Sequence, residues 1–331
     1  MITMIKNIFY YILNMSIIAA IIVVILLLIR AVFGKWLQKP LIYALWGIVL
    51  FRLLIPISIS SELSLINMVN PDFAKAIVVS DANNGVTDIT YSVTNVMQLA
   101  EKYNPIEYKT NRIEKIFNIF GLIWLIGAVL FVLVAIIIYR ITMKRLNQAV
   151  KLEYDIRILE KYKERLNVNS EIGVYESGFI NTPIVSGILK TKIIIPKNIK
   201  PDFLEYILIH ELSHIKRKDN IWKLLTILAV CIHWFNPFAW LFLWISERDM
   251  ENACDYKVLR NIPDNKRKNY ALSLVELADS QRLPFPALGN TAVKQRLINI
   301  STYKRISTIM LIITSILCMI VTILLITNPI T

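Results

Sequence analysis

Histidine and cysteine are scarce in this chain, three of each among 331 residues, and acids are outnumbered, 24 against 37 Lys and Arg. Cys231, Cys254 and Cys318 are too few to build a disulfide framework. Two of them lie in apolar runs, where a free thiol behaves as a small hydrophobe, so all three are read as reduced. The shortage of acid leaves a net charge of +13. In a water-soluble chain that excess would point first to nucleic acid, whose phosphates Lys and Arg neutralise. Here, however, 56% of residues are hydrophobic and mean hydropathy is +0.54, above the roughly 45–50% apolar share of soluble domains. A membrane protein that gathers Lys and Arg on its cytoplasmic side accounts for both observations, so lipid is expected as a partner and direct nucleic-acid binding is not. No internal repeat or low-complexity segment is evident.

Four stretches approach the roughly 20 apolar residues needed to cross a bilayer: 8–29, 41–57, 116–141 and 306–327. The second carries Arg52 near its end, where a long side chain can snorkel toward headgroups. The first has no small-residue cleavage site before Arg30 and is longer than a secretory signal, which excludes a cleaved leader. Arg30, Lys35 and Lys39 in the first link, with no acid beside them, place that link in the cytoplasm. The N-terminus and residues 58–115, with turn signals such as Asn83-Asn84-Gly85, then fall outside. The third span brings residues 142–305 inside, and the fourth returns the short tail to the exterior. The expected architecture is a mainly α, multi-pass protein of a cell membrane. Residues 1–57 form two spans, 58–115 an extracellular region, 116–141 the third span, 142–305 a cytoplasmic α+β domain and 306–327 the last span.

Within the cytoplasmic region, Lys144–Asn167 has the spacing of an amphipathic helix. Punctuated β-branched runs predict strands over Ile180–Leu189 and Lys192–Ile195. Asp202 is placed to cap a helix from about Phe203, with Glu205 completing a capping box. A further apolar stretch, 221–245, would reverse the orientation of everything after it if it crossed the bilayer. Asn236-Pro237 sits at its middle, where proline breaks a helix, so it is read as a membrane-dipping helical hairpin with both ends cytoplasmic.

The sharpest local pattern is His210-Glu211-Leu212-Ser213-His214. Residues four apart share one helix face, so both imidazoles can reach one metal ion, and Glu211 is placed to take a proton from an attacking water. Two histidines and a carboxylate on Zn²⁺, one ion per chain, leave a fourth position open for chemistry. A surface helix carrying two histidines by chance is the plainer alternative, but two of only three histidines fall in this pattern amid apolar residues. The third ligand is open among Glu247, Asp249 and Glu251; Glu251 and Asp255 share a face. His233 is an auxiliary candidate, either a ligand or a hydrogen-bond donor to the reacting group, and more simply a hydrogen-bonded structural residue near a polar loop.

These residues together resemble the membrane metallopeptidase portion of the BlaR/MecR-type beta-lactam-sensor antirepressors. The resemblance rests on Leu45-Trp46 with Arg52–Pro56, Pro183–Gly187 followed by Lys192–Pro196, His210–His214, His233–Pro237, Glu251–Asp255 and Val293–Leu297. It implies a gluzincin-like zinc protease domain in which Glu251 is the third ligand and Asp255 orients a ligand imidazole. It also implies an edge strand over Val185, Ser186, Gly187, Ile188, Leu189 and Lys190 that pairs with extended substrate. The implied substrate is a cytoplasmic winged-helix repressor, and the implied role is antirepressor signalling linked to antibiotic resistance. Family members that sense beta-lactams carry a penicillin-binding domain after the last span; none is expected here. The exposed-looking loop Gln281–Thr291 is a place where the chain could cut itself. A homodimer is compatible with the sequence. Two other classes fit less well: a quality-control or processing protease of membrane proteins, which uses the same motif, and a non-catalytic receptor. The receptor would close its zinc site with Cys254 or His233 and would have no use for Glu211.

Overall fold

A computed structural model describes residues 2–34, 37–55, 59–60, 111–152, 156–187, 191–197, 199–279, 286–303, 316 and 327–328. The chain divides into two compact units: Met1–Val132 with Leu228–Leu243 and Thr308–Thr331, and Leu133–Ile227 with Trp244–Ser307.

The first unit is helical. Its first helix, α1 (Ile2–Phe33), packs against α2 (Lys39–Leu54). A long third helix, α3 (Asn111–Leu146), contributes its N-terminal part. Met4–Phe33 and Ile116–Leu146 are long and apolar enough to cross a membrane. Their large side chains stay outward: Leu28 is 62% and Ile126 61% exposed. α2 is shorter, 16 residues, or about 24 Å at 1.5 Å per residue. Leu45, Trp46, Val49, Arg52 and Leu53 form its buried face, so Arg52, 6% exposed, does not snorkel outward; its position on the packed face decides this. Gly127 on α3 has no side chain because the Trp234 ring fills that space; a Cβ there would meet it at 2.4 Å. Of the expected fourth span, only isolated positions fall within the described residues. Residues 58–115 likewise lie largely outside them, apart from β1 (Ile59–Ser60), which pairs in parallel with Thr327–Asn328, and the start of α3.

The second unit is α+β. The expected amphipathic helix over Lys144–Asn167 is divided in three: the end of α3, a short strand β2 (Val150–Lys151), and α4 (Ile156–Leu166). The apolar spacing of the segment fits helix on either side of that break, but β2 is drawn out as an edge partner. It pairs antiparallel with β3 (Gly173–Ser177), β3 pairs in parallel with β5 (Lys192–Pro196), and β5 pairs antiparallel with β4 (Ile184–Ser186). The order β2-β3-β5-β4 puts β4 at one end of the sheet. β5 is the central strand, and Ile193, Ile194 and Ile195 are buried on both its faces.

A helix, α5 (Pro201–Arg217), packs against α4. It begins with Pro201 at its first position after Lys200, so Asp202 is not its cap. Proline supplies the pre-set φ and lacks the N–H that a capping side chain would satisfy. Glu205 is drawn away from a capping box by Tyr162, which donates its hydroxyl hydrogen, and by Lys266 Nζ at 2.9 Å. One core joins Leu159, Tyr162 and Ile193 to Leu204, Ile207, Leu208 and Leu212 of α5. α5 ends at Lys218, which adopts a left-handed φ of 58°, and α6 (Asp219–Ile232) starts at once. The turn His233–Asn236 breaks the apolar stretch, and Pro237 opens α7 (Pro237–Asn261) as its first residue. After a short 3₁₀ turn come α8 (Arg267–Asp279) and α9 (Pro286–Ser301). Pro286 to Thr291 is therefore helix rather than the expected loop, because Pro286 initiates a helix as Pro201 does.

Candidate metal centre

His210 and His214 lie one turn apart on the buried side of α5, 8% and 7% exposed. Their Nε2 atoms are 3.2 Å apart. Glu251, on α7, completes a triangle: its Oε2 is 3.3 Å from His210 Nε2 and its Oε1 3.5 Å from His214 Nε2. In a tetrahedral site with bonds of about 2.0–2.1 Å, neighbouring ligand atoms stand about 3.3–3.4 Å apart, so this donor set fits zinc.

The other ring nitrogens are committed elsewhere. His214 Nδ1–H donates to Asp219 Oδ2 at 2.7 Å. The left-handed Lys218 makes this possible, since it turns the chain back and returns Asp219 beside a histidine only five residues earlier. Tyr270 gives its hydroxyl hydrogen to Asp255 Oδ1, so its oxygen is free to accept from His210 Nδ1 at 3.1 Å. Asp255 Oδ1 is also 3.4 Å from that nitrogen. Both histidines thus carry hydrogen on Nδ1, so Nε2, facing the other ring and a carboxylate, is the nitrogen each would offer a metal ion. Such a convergence of electron-rich atoms calls for a cation, and the carboxylates behind the rings are the usual means of fixing metal-binding imidazoles.

Arginines balance the acids. Arg217 bridges to Asp219 through Nε at 3.2 Å and Nη2 at 2.5 Å. Arg296, on α9, grips Asp255 with two bonds of 2.7 Å and brings Nη1 within 3.5 Å of Glu251 Oε2. Burial works against ionisation of Asp255, yet Arg296 holds its carboxyl well below the usual range. Burial also opposes the charge on Glu251, and His214, His210 and Arg296 overcome it. His210 feels the same desolvation, but the hydrogen bonds of Asp255 and Glu251 raise it to about 9 in the metal-free protein.

A cavity of about 470 Å³ opens beside these residues. His210, Glu211, His214 and Glu251 line it together with Val185 of β4 and Arg296. Glu211 is buried, and among the described residues no hydrogen bond or ion pair engages its carboxylate. Val185 and Ser186 pair with β5 from the end of the sheet, whereas Ile188, Leu189 and Lys190 lie outside the described residues. Gly187 closes β4 at a φ of 89°, a conformation that suits glycine, and its carbonyl accepts from Asn220 Nδ2 at 3.0 Å.

Cys254 is a second candidate donor: one ligand atom each from His210, His214 and Cys254 lie within 4.8 Å of one another. Its sulfur, however, accepts from Arg217 Nη2 at 3.0 Å and stands 3.9 Å from Asp219 Oδ2. Glu251 oxygens stand 3.3 and 3.5 Å from the two Nε2 atoms, and of the other acids on α7 Glu247 is exposed and Asp249 is buried. His233 belongs to the helical unit, where both its ring nitrogens are occupied. Its Nε2–H donates to the Leu53 carbonyl at 2.8 Å, leaving Nδ1 to accept from the Ser16 hydroxyl at 2.6 Å. Asn236 adds a bond to the Ser16 carbonyl at 3.0 Å, so the polar groups of the turn are satisfied within that unit.

Asp219, Tyr270 and Arg217 are the site residues that sequence reasoning missed, and Arg296 entered it only within the Val293–Leu297 match, without a role. The one local signal was Asp219 following Arg217 at a helix junction; Tyr270 and Arg296 lie 56 and 82 residues past His214.

The profile of the BlaR1 peptidase M56 family matches residues 10–325. The chain belongs to that family. Its members are metallopeptidases, in keeping with the donor set just described. The methicillin resistance mecR1 protein of Staphylococcus aureus is 26% identical over 292 residues, covering 83% of this chain and 48% of that protein. The regulatory protein BlaR1 of Bacillus licheniformis is 26% identical over 157 residues, 46% of this chain and 26% of its own. The regulatory protein BlaR1 of Staphylococcus aureus is 25% identical over 258 residues, 75% of this chain and 42% of its own. The chain spans about half the length, or less, of the curated relatives it matches.

Proposed function

We propose that this M56 peptidase is a zinc endopeptidase of a bacterial cell membrane that cleaves a cytoplasmic protein, in the first instance a winged-helix repressor. The observation that carries the reading is the convergence of His210 Nε2, His214 Nε2 and the Glu251 carboxylate, 3.2–3.5 Å apart, at the wall of a cavity that Glu211 also lines. His210, His214 and Glu251 would hold the ion, with Asp219, Asp255 and Tyr270 orienting the two imidazoles. Zinc, when bound, acts as a Lewis acid and lowers the pKa of water toward about 7.

The chain's own groups do the rest. β4, at the end of the sheet and beside the cavity, offers main-chain donors and acceptors to an extended peptide, so Val185 and Ser186 would hold the substrate by strand addition. Glu211 takes a proton from the attacking water as its oxygen bonds to the peptide carbonyl carbon. It then delivers that proton to the amide nitrogen as the carbon–nitrogen bond breaks. Arg217 and Arg296 engage the flanking acids Asp219 and Asp255, whereas among the described residues no such partner engages Glu211.

Family membership and the names of the relatives, one of them a methicillin resistance protein and two of them regulatory proteins, support an antirepressor role. Basic residues at the ends of the apolar helices, such as Arg30, Lys144 and Arg145, support a cytoplasmic site. Self-cleavage within 281–291 would be confined to residues before or at the start of α9, since helical backbone must unwind to enter a protease as an extended strand. The test is proteolysis by the detergent-purified protein of a repressor encoded beside it. Cleavage by wild type and none by Glu211→Gln, with equal zinc, is the expected result. Cleavage that survives Glu211→Gln overturns the assignment.

A further inference from the structure

α9 carries no motif for catalysis, yet one of its side chains reaches two acids on α7 at once. Arg296 spends Nε and Nη2 on Asp255 at 2.7 Å each and turns Nη1 to Glu251 Oε2 at 3.5 Å. Asp255 and Glu251 are one helical turn apart, so a planar fork lying across that turn can engage both, as a point-charge ammonium cannot. A second tie fixes the register of the same two helices: Asn299 Nδ2, one turn along α9, donates to Asn252 Oδ1 at 2.8 Å. Ile300 is buried in the common core, which anchors the end of the helix.

Four acids gather at the site: Glu211 and Glu251 line the cavity, and Asp219 and Asp255 stand behind the two imidazoles. Arg217, Arg296 and Lys223 return three positive charges, so a net negative charge is left to attract a cation. Without Arg296, Glu251 and Asp255 would repel each other across a partly buried turn, and each could rotate toward water. The Glu251 side chain is 32% exposed and has room to do so.

We infer that Arg296 is a positioning residue for the metal centre: by clamping Glu251 and Asp255 together it presents the third ligand and orients His210, and so makes metal retention depend on the docking of α9. This rests on the reading of His210, His214 and Glu251 as ligands. It assigns Arg296 no contact with substrate.

The experiment uses the full chain in detergent, with zinc affinity measured by chelator competition and the cobalt(II) visible spectrum recorded in parallel. Arg296→Ala is expected to weaken zinc by about 10–100-fold, the range found when groups supporting a ligand are removed, and to alter the intensity of the cobalt bands. Because the side chain lines an open cavity, millimolar guanidinium should restore binding where equal sodium chloride does not. Arg296→Lys keeps the charge and the fold but not the fork, and should remain weak. Lysine and alanine variants that both bind zinc within about threefold of wild type, with unchanged cobalt spectra, overturn the inference while leaving the peptidase reading intact. If Arg296→Ala fails to fold, a lysine variant of wild-type affinity overturns it by itself. A wild type that holds no zinc overturns the ligand assignment and this inference together.

Discussion

Asp219→Asn isolates the support of one imidazole, because the substitution keeps size and shape while removing charge. Asp219 is 1% exposed and receives His214 Nδ1–H at 2.7 Å as well as the Arg217 fork. Both donors converge on one oxygen, Oδ2, so an asparagine oxygen in that place keeps the contacts but loses the charge. A neutral acceptor leaves His214 a weaker base and holds its ring less firmly in the tautomer that frees Nε2 for metal. Where the amide settles with its N–H toward Nδ1, the hydrogen moves to Nε2 and that lone pair is lost. The expected cost is about 10–100-fold in zinc affinity, or about 1.4–2.7 kcal/mol. The metal-free protein also suffers, since Arg217, 18% exposed, is left with a buried charge that Asp219 had balanced. That loss should be about 3 kcal/mol, the lower end for breaking a buried pair because the arginine is partly solvated. Chelator competition reads the first effect and chemical denaturation of the metal-free protein the second. Zinc affinity within about threefold of wild type would refute the argument, because it would show that the tautomer of His214 is not set by Asp219. The pH dependence supplies a second check. Burial opposes the charge on Asp219, but His214 and Arg217 lower its pKa, so its contribution to stability is complete above about pH 4 and fades as the solution is acidified through its folded-state value.

The remaining predictions concern other parts of the site. Glu251→Ala should abolish stoichiometric zinc while Cys254→Ala retains it, by metal analysis of the purified variants; the reverse pattern would move the third ligand to the thiol. Glu211→Gln should keep zinc and lose about 10²–10⁴-fold in cleavage rate, measured with a peptide or repressor substrate. His210 is held at about 9 in the metal-free protein, above its unfolded value of about 6.5. Its charged form therefore stabilises the metal-free fold fully below about pH 6.5 and ceases to do so as pH rises through 9. Zinc must displace that proton, so apparent affinity should rise about tenfold per pH unit from pH 7 to 9 and then level off, as titration at fixed chelator would show. His233→Ala leaves the Leu53 carbonyl and the Ser16 hydroxyl without their partner, so it should lower stability by about 2–4 kcal/mol in thermal melts without changing zinc content.

The corrections share a cause. Asp202 and Glu205 have the spelling of a capping box, but Pro201 starts the helix and Lys266 and Tyr162 claim the glutamate. Arg52 sits at the end of an apolar run, as a snorkelling residue would, but on the face that α2 packs inward. Each expectation used only neighbours along the chain, and each was overruled by a neighbour in space.

Local spacing alone determined that His210 and His214 share a helix face, because four residues nearly complete one turn of any α-helix. It also determined the long apolar helices and the break before Pro237, since a bilayer demands length and proline cannot donate in a helix interior. It did not determine which acid stands beside the two imidazoles. Glu247 and Glu251 lie on one face of α7, and only its packing against α5 leaves the first exposed and brings the second within 3.5 Å of both Nε2 atoms. Nor could it find Asp219, Tyr270 and Arg296, whose roles arise from the turn at Lys218 and the docking of α8 and α9. Periodicity is a property of one element, so sequence carries it; the shell around a metal centre is built where several elements meet, and only the tertiary structure decides which side chains arrive there.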